Sequence, residues 1–541
     1  MKTPVFEAPD NLDEACGQLD VLWGFIGRMQ EAQREMQDAR QVSLTEIALL
    51  EEKIRLLLHK RFGSSSEVAA SPNQLRLVFD EAEQLQAESV NESVTDAHDS
   101  TETLTYSRKK PGRKAIPDDL PRLVITHELP EAERWCGCGG ERHVIGEVIS
   151  EQLDIIPAQV RVIRHARKKY ACRRCEDGIK TAPLPPQPLP KSKASPGLLA
   201  FLITAKFADA LPLYRQSVIF KRYGVNLPRQ TLANWVIGCS TLVQPLLNLL
   251  QDTVLSGDAL NMDETTVQVL KEVGRTAQHK SYMWVRVGGK AQQRVVLFHY
   301  APSRGGEVAR ELLEGYQGYL QTDDYAAYHR SGQQPGVIHQ GCMAHARRKF
   351  VDAQKAAKSG LSAKNKPKAG KTEVALGYFS QLYALEKRIK HLPDEARYEY
   401  RQKEALPILE AFRAWLDDAL LSRVLPKGLL GKALSYLDKN WPGLTRYTEA
   451  GYLLIDNNAA ENAIRPFVIG RKNWLFSYSP AGAQSSAVLY SLIETAKANQ
   501  LEPYHYLKRV FTELPAARTL EQVEALLPWN MQTAGERECG V

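Results

Sequence analysis

No stretch of this sequence approaches the roughly 20 consecutive apolar residues that a membrane-spanning helix needs, and no secretory leader pattern is present. A soluble, cytoplasmic protein with no membrane partner is expected. Cysteine is scarce, 8 in 541 residues, and in a reducing compartment so few argue against a disulfide framework. Cys16, Cys239, Cys342 and Cys539 are scattered, whereas the other four fall in two pairs. A uniform charge is missing too. The net +7 conceals about −11 over residues 1–107 and about +18 over residues 108–541, which makes the longer, basic part the expected polyanion binder. The length predicts several domains, and 43% hydrophobic residues suffice for ordinary cores.

Residues 1–63 read as one long helix. From Leu19, positions a and d run Leu22, Ile26, Met29, Gln33, Met36, Arg40, Ser43, Ile47, Leu50, Ile54 and Leu57, mostly apolar at 3.5-residue spacing. This predicts a coiled coil, hence a homo-oligomer; a helix packed on its own chain is the alternative. Residues 64–120 follow as an acidic linker with few aromatics, expected to be disordered apart from a short helix at 72–87. It ends in Arg108-Lys-Lys-Pro-Gly-Arg113-Lys114. A basic run around Pro-Gly suits a phosphate backbone or a solvated hinge equally.

In 121–182 the pairs Cys136-Gly-Cys138 and Cys172-Arg173-Arg174-Cys175 can present four sulfurs tetrahedrally to one structural Zn²⁺. Glycines beside the first pair let the backbone turn, and the arginines between the second pair suit a DNA-facing finger. A Pro-rich linker, 183–195, separates this module from 196–250. Helices are predicted there at 196–208, 211–223 and 228–240, a helix-turn-helix-like pattern. Arg229, Gln230, Thr231 and Asn234 would face DNA, with Leu232, Trp235 and Val236 inward. An ordinary helical hairpin has the same pattern.

From 251 the texture changes. Alternating segments at 259–269, 280–288 and 293–300, with Gly288-Gly289 as a hairpin turn, precede a helix at 304–316, a strand at 318–323, a short helix at 324–330 and a strand at 336–342. Three antiparallel strands followed by alternating helix and strand is the order of a ribonuclease-H-like core, here 251–345. It is interrupted by a helical insertion at 346–450, resumed at 451–512, and followed by a C-terminal tail at 513–541. The class is therefore multidomain α+β. Asp263 on the first strand, Asp323 at the end of the fourth and Glu461 on the helix after the insertion suit two Mg²⁺ (or Mn²⁺) ions, which clamp the attacking and leaving oxygens of a phosphodiester. By spacing alone Glu264, Asp324 and Asp456 rival them.

Many ordered matches give this chain an identity at the family level. They are Arg61-Phe-Gly63, Lys109-Lys-Pro-Gly-Arg-Lys114, the two cysteine pairs, Met262-Asp-Glu-Thr265, Leu320-Gln-Thr-Asp-Asp-Tyr325 and Gly341-Cys-Met-Ala-His-Ala-Arg-Arg-Lys-Phe350. Ile455-Asp-Asn-Asn-Ala-Ala-Glu461, Gly470-Arg-Lys-Asn-Trp474 and Ser491-Leu-Ile-Glu-Thr-Ala496 complete the series. Along nearly its whole length the chain resembles the insertion-sequence-66 family of bacterial transposases. The resemblance implies a DDE transposase that cuts and joins DNA. It places the triad on Asp263, Asp323 and Glu461, preferring Asp323 to Asp324, where the family often has Gly. Asn462 stands where the family generally has Arg, and Ser64-Ser65 replace a more basic pair. His345, Arg347, Arg348, Lys349, Arg471, Lys472 and Trp474 are expected DNA contacts. The implied partners are transposon ends, target DNA and small accessory proteins of the same element. The alternatives are a decayed zinc and helix-turn-helix DNA binder, or a nuclease that cuts without joining.

If the four paired cysteines form one site, Cys172→Ser lowers the zinc content of protein purified without chelator and weakens binding to element ends. A zinc-free protein with four freely reactive thiols would contradict the assignment.

Overall fold

The computed structural model describes residues 12–62, 159–170, 180–290, 292–323, 325, 327–328, 334–358, 370–422 and 424–531. The paired cysteines, Arg113, Lys114, Arg173, Arg174, Asp324 and the predicted helix at 72–87 lie outside them. Two compact units are present: Met1–Ser89 together with Pro183–Val541, and Val90–Ala182. In the second, β1 (Lys169–Tyr170) pairs antiparallel with β2 (Lys180–Thr181), and Arg167 Nε donates to the Ala182 carbonyl at 2.6 Å. Of residues 160–170, only Lys169 and Tyr170 form a strand.

In the first unit, α1 (Leu12–Phe62) is continuous, and its a/d residues Leu19, Leu22, Ile26, Met29, Met36, Ile47, Leu50, Ile54 and Leu57 are all exposed. It also touches the rest of the unit, Glu52 Oε2 accepting from the Leu429 N–H at 2.9 Å. Ser195 caps α2 (Pro196–Phe207) through its Oγ, which accepts from the Leu198 N–H at 3.2 Å. Helices α3 (Leu213–Arg222), α4 (Arg229–Leu242) and α5 (Gln244–Leu255) follow. On α4, Leu232, Trp235, Val236 and Cys239 recur at i, i+3, i+4 and i+7 and are buried, as helical periodicity requires.

Five strands form one sheet: β3 (Ala259–Gln268), β4 (Lys280–Gly288), β5 (Val295–Ala301), β6 (Gly318–Gln321) and β7 (Val337–Gln340), in the order β5-β4-β3-β6-β7. The β3–β4 and β4–β5 pairs are antiparallel; β3–β6 and β6–β7 are parallel. Gly289, at φ +89°, makes the turn after β4, where an added Cβ would collide with the Gln293 carbonyl. The helix expected at 304–316 is shorter, α6 (Gly306–Leu312).

Helices α2, α4 and α5 contribute to the same apolar cluster as the sheet, so the boundary expected at 250 is not a break in packing. Beyond it come α12 (Asn458–Trp474), α13 (Pro480–Ala498), α14 (Pro503–Glu513), α15 (Leu520–Glu524) and α16 (Pro528–Met531). The expected tail is thus folded as far as residue 531, because Leu526, Leu527 and Met531 are buried in that cluster.

Between β7 and α12 the chain makes α7 (Met343–Lys358), α8 (Lys371–Ile389), α9 (Asp394–Tyr400), a π turn (Arg401–Ala405), α10 (Leu406–Leu421) and α11 (Leu429–Thr445). These helices build a second cluster around Phe350, Phe379, Phe412 and Leu437. Its polar centre is Arg401, fully buried, which donates to both oxygens of Glu386 at 2.9 and 2.7 Å and to the carbonyls of Tyr447, Ala450 and Leu453. The two ends of the excursion meet: Gly341 N–H donates to the Gly443 carbonyl at 3.0 Å, and Met343 N–H to the Ile455 carbonyl at 3.1 Å. A long detour therefore leaves the sheet undisturbed.

Buried amides seal this junction. Asn261 Nδ2 donates to Gln321 Oε1 at 2.7 Å and to Asn457 Oδ1 at 3.0 Å, Asn457 Nδ2 donates to the Met262 carbonyl at 2.8 Å, and Gln321 Nε2 reaches the Leu454 carbonyl at 2.8 Å. Asn261→Ala leaves two buried oxygens without these donors, at about 1–3 kcal/mol for each unsatisfied group. The urea midpoint should fall accordingly with the m-value unchanged; an unmoved midpoint would show that the amides do not hold the junction.

Candidate active site

The parallel register fixes the first two carboxylates. Asn261 lies opposite Gln321, so two residues further along each chain Asp263, in the middle of β3, and Asp323, just past the carboxyl end of β6, come onto neighbouring positions. In open sheets this end is where ligands bind. Glu461 comes from the first turn of α12, whose start is pinned to β3 through Asn457.

The three are electrostatically coupled. Burial pushes the Asp263 carboxyl up to about 8, and the charges of Glu264, Glu461 and Asp323 add to the rise, against a hydrogen bond from the Glu264 N–H at 2.9 Å. Glu461 is also raised, by burial first, with Asp456 and Asp323 contributing and Arg348 and Arg465 opposing. Asp323 Oδ1 accepts from the Tyr325 N–H at 3.0 Å. A buried carboxylate among like charges, as Asp263 is, favours either a proton or a bound cation.

Two of the rivals have protein partners. Glu264, its side chain almost wholly buried, accepts from Arg304 Nε at 2.5 Å and from the Tyr328 hydroxyl. Arg304 in turn stacks 3.7 Å from the centre of the Tyr325 ring. Asp456 Oδ1 accepts from the Asn458 N–H at 3.2 Å, and the Tyr383 hydroxyl lies near its carboxylate. The oxygen-rich donor set of Asp263, Asp323 and Glu461 fits hard divalent ions. Glu461 Oε1 strengthens that fit, being buried without a hydrogen-bond partner.

Cys342 and His345, at the start of α7, line the Glu461 side. His345 Nδ1 lies 3.8 Å from Glu461 Oε1, and Arg348 Nη2 3.8 Å from Oε2. Burial and the neighbouring Arg348 push the imidazole down to about 4, so it is neutral. Cys342 Sγ accepts from the Asn457 N–H at 3.2 Å, and burial pushes its thiol up to about 12.

The expected DNA contacts are dispersed. Arg348 and Lys349 are exposed on α7, Lys349 lying 4.3 Å over the Tyr436 ring, while Arg347 is half-buried. Lys472 is exposed, but Arg471 is turned inward onto β3, donating to Thr265 Oγ1 at 3.1 Å and to the Thr266 carbonyl. Trp474 is half-buried against Phe467, edge-on at 5.3 Å. Arg229, Gln230 and Asn234 are exposed on α4 and Thr231 is half-buried; α4 is fastened to α13 by a Ser240–Ser485 hydroxyl contact of 2.9 Å.

Asn261, Gln321, Asn457, Arg304 and Tyr328 were not singled out in the sequence. A signal for two of them was present. Asn261 and Gln321 each precede a catalytic candidate by two residues, which on a strand means the same face.

Family models match most of the chain. The model described as Transposase IS66 family matches residues 191–485, and the zinc-finger binding domain of transposase IS66 matches 133–176, a span that contains both cysteine pairs. The IS66 C-terminal element matches 491–529, and a model described as Transposase C of IS166 homeodomain matches 49–125. Among similar proteins are three uncharacterised ones from Sinorhizobium fredii. Protein y4jD is 34% identical over 427 residues, 77% of this chain and 81% of its own length. Protein y4hP is 32% identical over 508 residues, covering 90% and 89%, and y4qI is 30% identical over 556 residues, covering 98% and 99%. With a family-model match over more than half its length and relatives that align almost end to end, the chain belongs to the IS66 family of transposases.

Proposed function

We propose that this protein is a DDE transposase that cuts DNA at the ends of an insertion sequence and joins the released 3′ end to target DNA, with Asp263, Asp323 and Glu461 as its ion-holding residues. The observation that carries this reading is the Asn261–Gln321 register, with Glu461 tethered to the same pair of strands through Asn457. We read the sheet, in its order β5-β4-β3-β6-β7, as a ribonuclease-H-like core.

Two divalent ions, when bound, would supply charge stabilisation at the reacting phosphate and lower the pKa of the attacking hydroxyl. The protein's task is to fix the three carboxylates before substrate arrives. β3 and β6 set two of them, and the buried amides set the third. In the first displacement water attacks the phosphorus and the strand leaves as a 3′-OH. In the second that 3′-OH attacks a target phosphate and displaces a target 3′ oxygen. Each step breaks one P–O bond and makes one, so no nucleotide cofactor is required.

Glu264 has a different role in this scheme. Held by Arg304 and Tyr328, it buttresses the strand beside Asp263. Recognition is assigned to the zinc module with Arg173 and Arg174, to the basic segment with Arg113 and Lys114, and to the exposed edge of α4. Arg348, Lys349 and Lys472 are assigned to DNA near the reacting phosphate. The inward-facing Arg471 and the packed Trp474 act in this reading by shaping α12 rather than by touching DNA. Self-association through the exposed seam of α1 would bring two element ends together.

Asp263→Asn, Asp323→Asn and Glu461→Gln should each retain end binding and lose metal-dependent cleavage by about 10²-fold or more, the scale for removing one charge-stabilising element. Asp324→Asn is expected to stay active. Strand transfer of pre-cut ends separates joining from simple hydrolysis. Cleavage surviving in all three variants would remove the proposed site.

A further inference from the structure

One more group lies against Glu461. His345 Nδ1 and Glu461 Oε1 are both buried, neither has a hydrogen-bond partner, and they lie 3.8 Å apart. That separation is too long for a hydrogen bond. Two ligands of one ion, at bond lengths of about 2.0–2.2 Å, lie roughly 3–3.5 Å apart at octahedral or tetrahedral angles, so an ion between this pair requires roughly 0.3–0.8 Å of closure. With Cys342 Sγ they form a group whose ligand atoms lie within 4.8 Å of one another.

We propose that His345 is a further protein ligand of the divalent centre, taking through Nδ1 the ion that Glu461 takes through Oε1. The inference rests on the transposase reading for the rest of that centre. Arg348 faces the other oxygen of Glu461, which leaves Oε1 to the ion. Cys342 is assigned to anchoring. Its sulfur is engaged by the Asn457 N–H at 3.2 Å, and this bond ties the start of α7, which carries the imidazole, to the start of α12, which carries Glu461. The pair is thereby held in place without the ion. A nitrogen ligand suits first-row transition ions better than Mg²⁺, which prefers an all-oxygen shell. This centre therefore favours Mn²⁺ over Mg²⁺ more strongly than three carboxylates would.

The test uses the full-length protein with Mn²⁺ as the probe. Pulsed EPR of the bound Mn²⁺ should show coupling to a directly ligated ¹⁴N, which His345→Gln abolishes. The same substitution should reduce the ratio of Mn²⁺ to Mg²⁺ affinity about tenfold, the scale for disturbing a metal shell. The wild-type spectrum needs no variant, so a misfolded His345→Gln cannot rescue the idea. Failure to bind Mn²⁺, bound Mn²⁺ without nitrogen coupling, or coupling that survives His345→Gln would each overturn it. These outcomes are separable from the parent reading. If nitrogen coupling is absent while Asp263→Asn and Asp323→Asn abolish cleavage, only the His345 assignment falls. If His345-dependent coupling is present while those variants still cut, the transposase chemistry falls and the metal site stands.

Discussion

A buried set of side-chain amides governs how distant parts of this chain meet. Asn261 on β3, Gln321 on β6 and Asn457 at the start of α12 are separated in sequence by 60 and 196 residues when counted from Asn261, yet hydrogen-bond directly. Each is buried, so an unmatched donor or acceptor would cost on the order of 1–3 kcal/mol. Such a network tolerates few arrangements, because every amide must find its partners at once. Apolar packing could bring α12 near the sheet in several registers. The amides select the one in which the helix bearing Glu461 starts beside the paired stretch of β3 and β6.

The far side of the sheet is fixed by another polar device. β5 is an edge strand, and an open edge invites pairing with another chain. Here α13 lies along it and satisfies the backbone with side chains: Thr495 Oγ1 accepts from the Val296 N–H and donates to the Val296 carbonyl, both at 3.0 Å, and Ser491 Oγ accepts from the Phe298 N–H at 2.8 Å. Asn499 Nδ2 adds a bond to the Arg294 carbonyl at 2.7 Å. The segment Ser491-Leu-Ile-Glu-Thr495 thus has a structural reason: hydroxyls at i and i+4 match alternate residues of the strand, with Leu492 and Ile493 buried beside them.

The strands and helices were legible because their signals are local. Alternation announced β3, β4 and β5, and the 3.6-residue period announced α4, with boundaries off by at most two residues. The meeting of Asp263 with Asp323 was legible as well, since parallel neighbours follow from element order. Other features depend on distant residues and were not. Whether Glu264 or Asp263 faces a ligand turns on Arg304 and Tyr328, which lie 40 and 64 residues away. That helices 196–255 share the core of the sheet depends on α13 and α14, more than 200 residues later. Arg471 looked like a surface cation within a basic run, yet the threonines of β3 draw its guanidinium inward.

The insertion makes the final constraint visible. Its helices have their own apolar cluster and their own buried ion pair, so they fold around Arg401 and Phe412 rather than around the sheet. An independent body of this kind would be a hazard if it could tilt, because β7 precedes it and Glu461 follows it. The Gly341–Gly443 and Met343–Ile455 backbone bonds, with Cys342 holding Asn457, close its base within a few residues of the carboxylates. The same clasp carries His345 and Arg348 on the first turns of α7, so groups from the insertion border the cluster while its rigidity is set by the sheet.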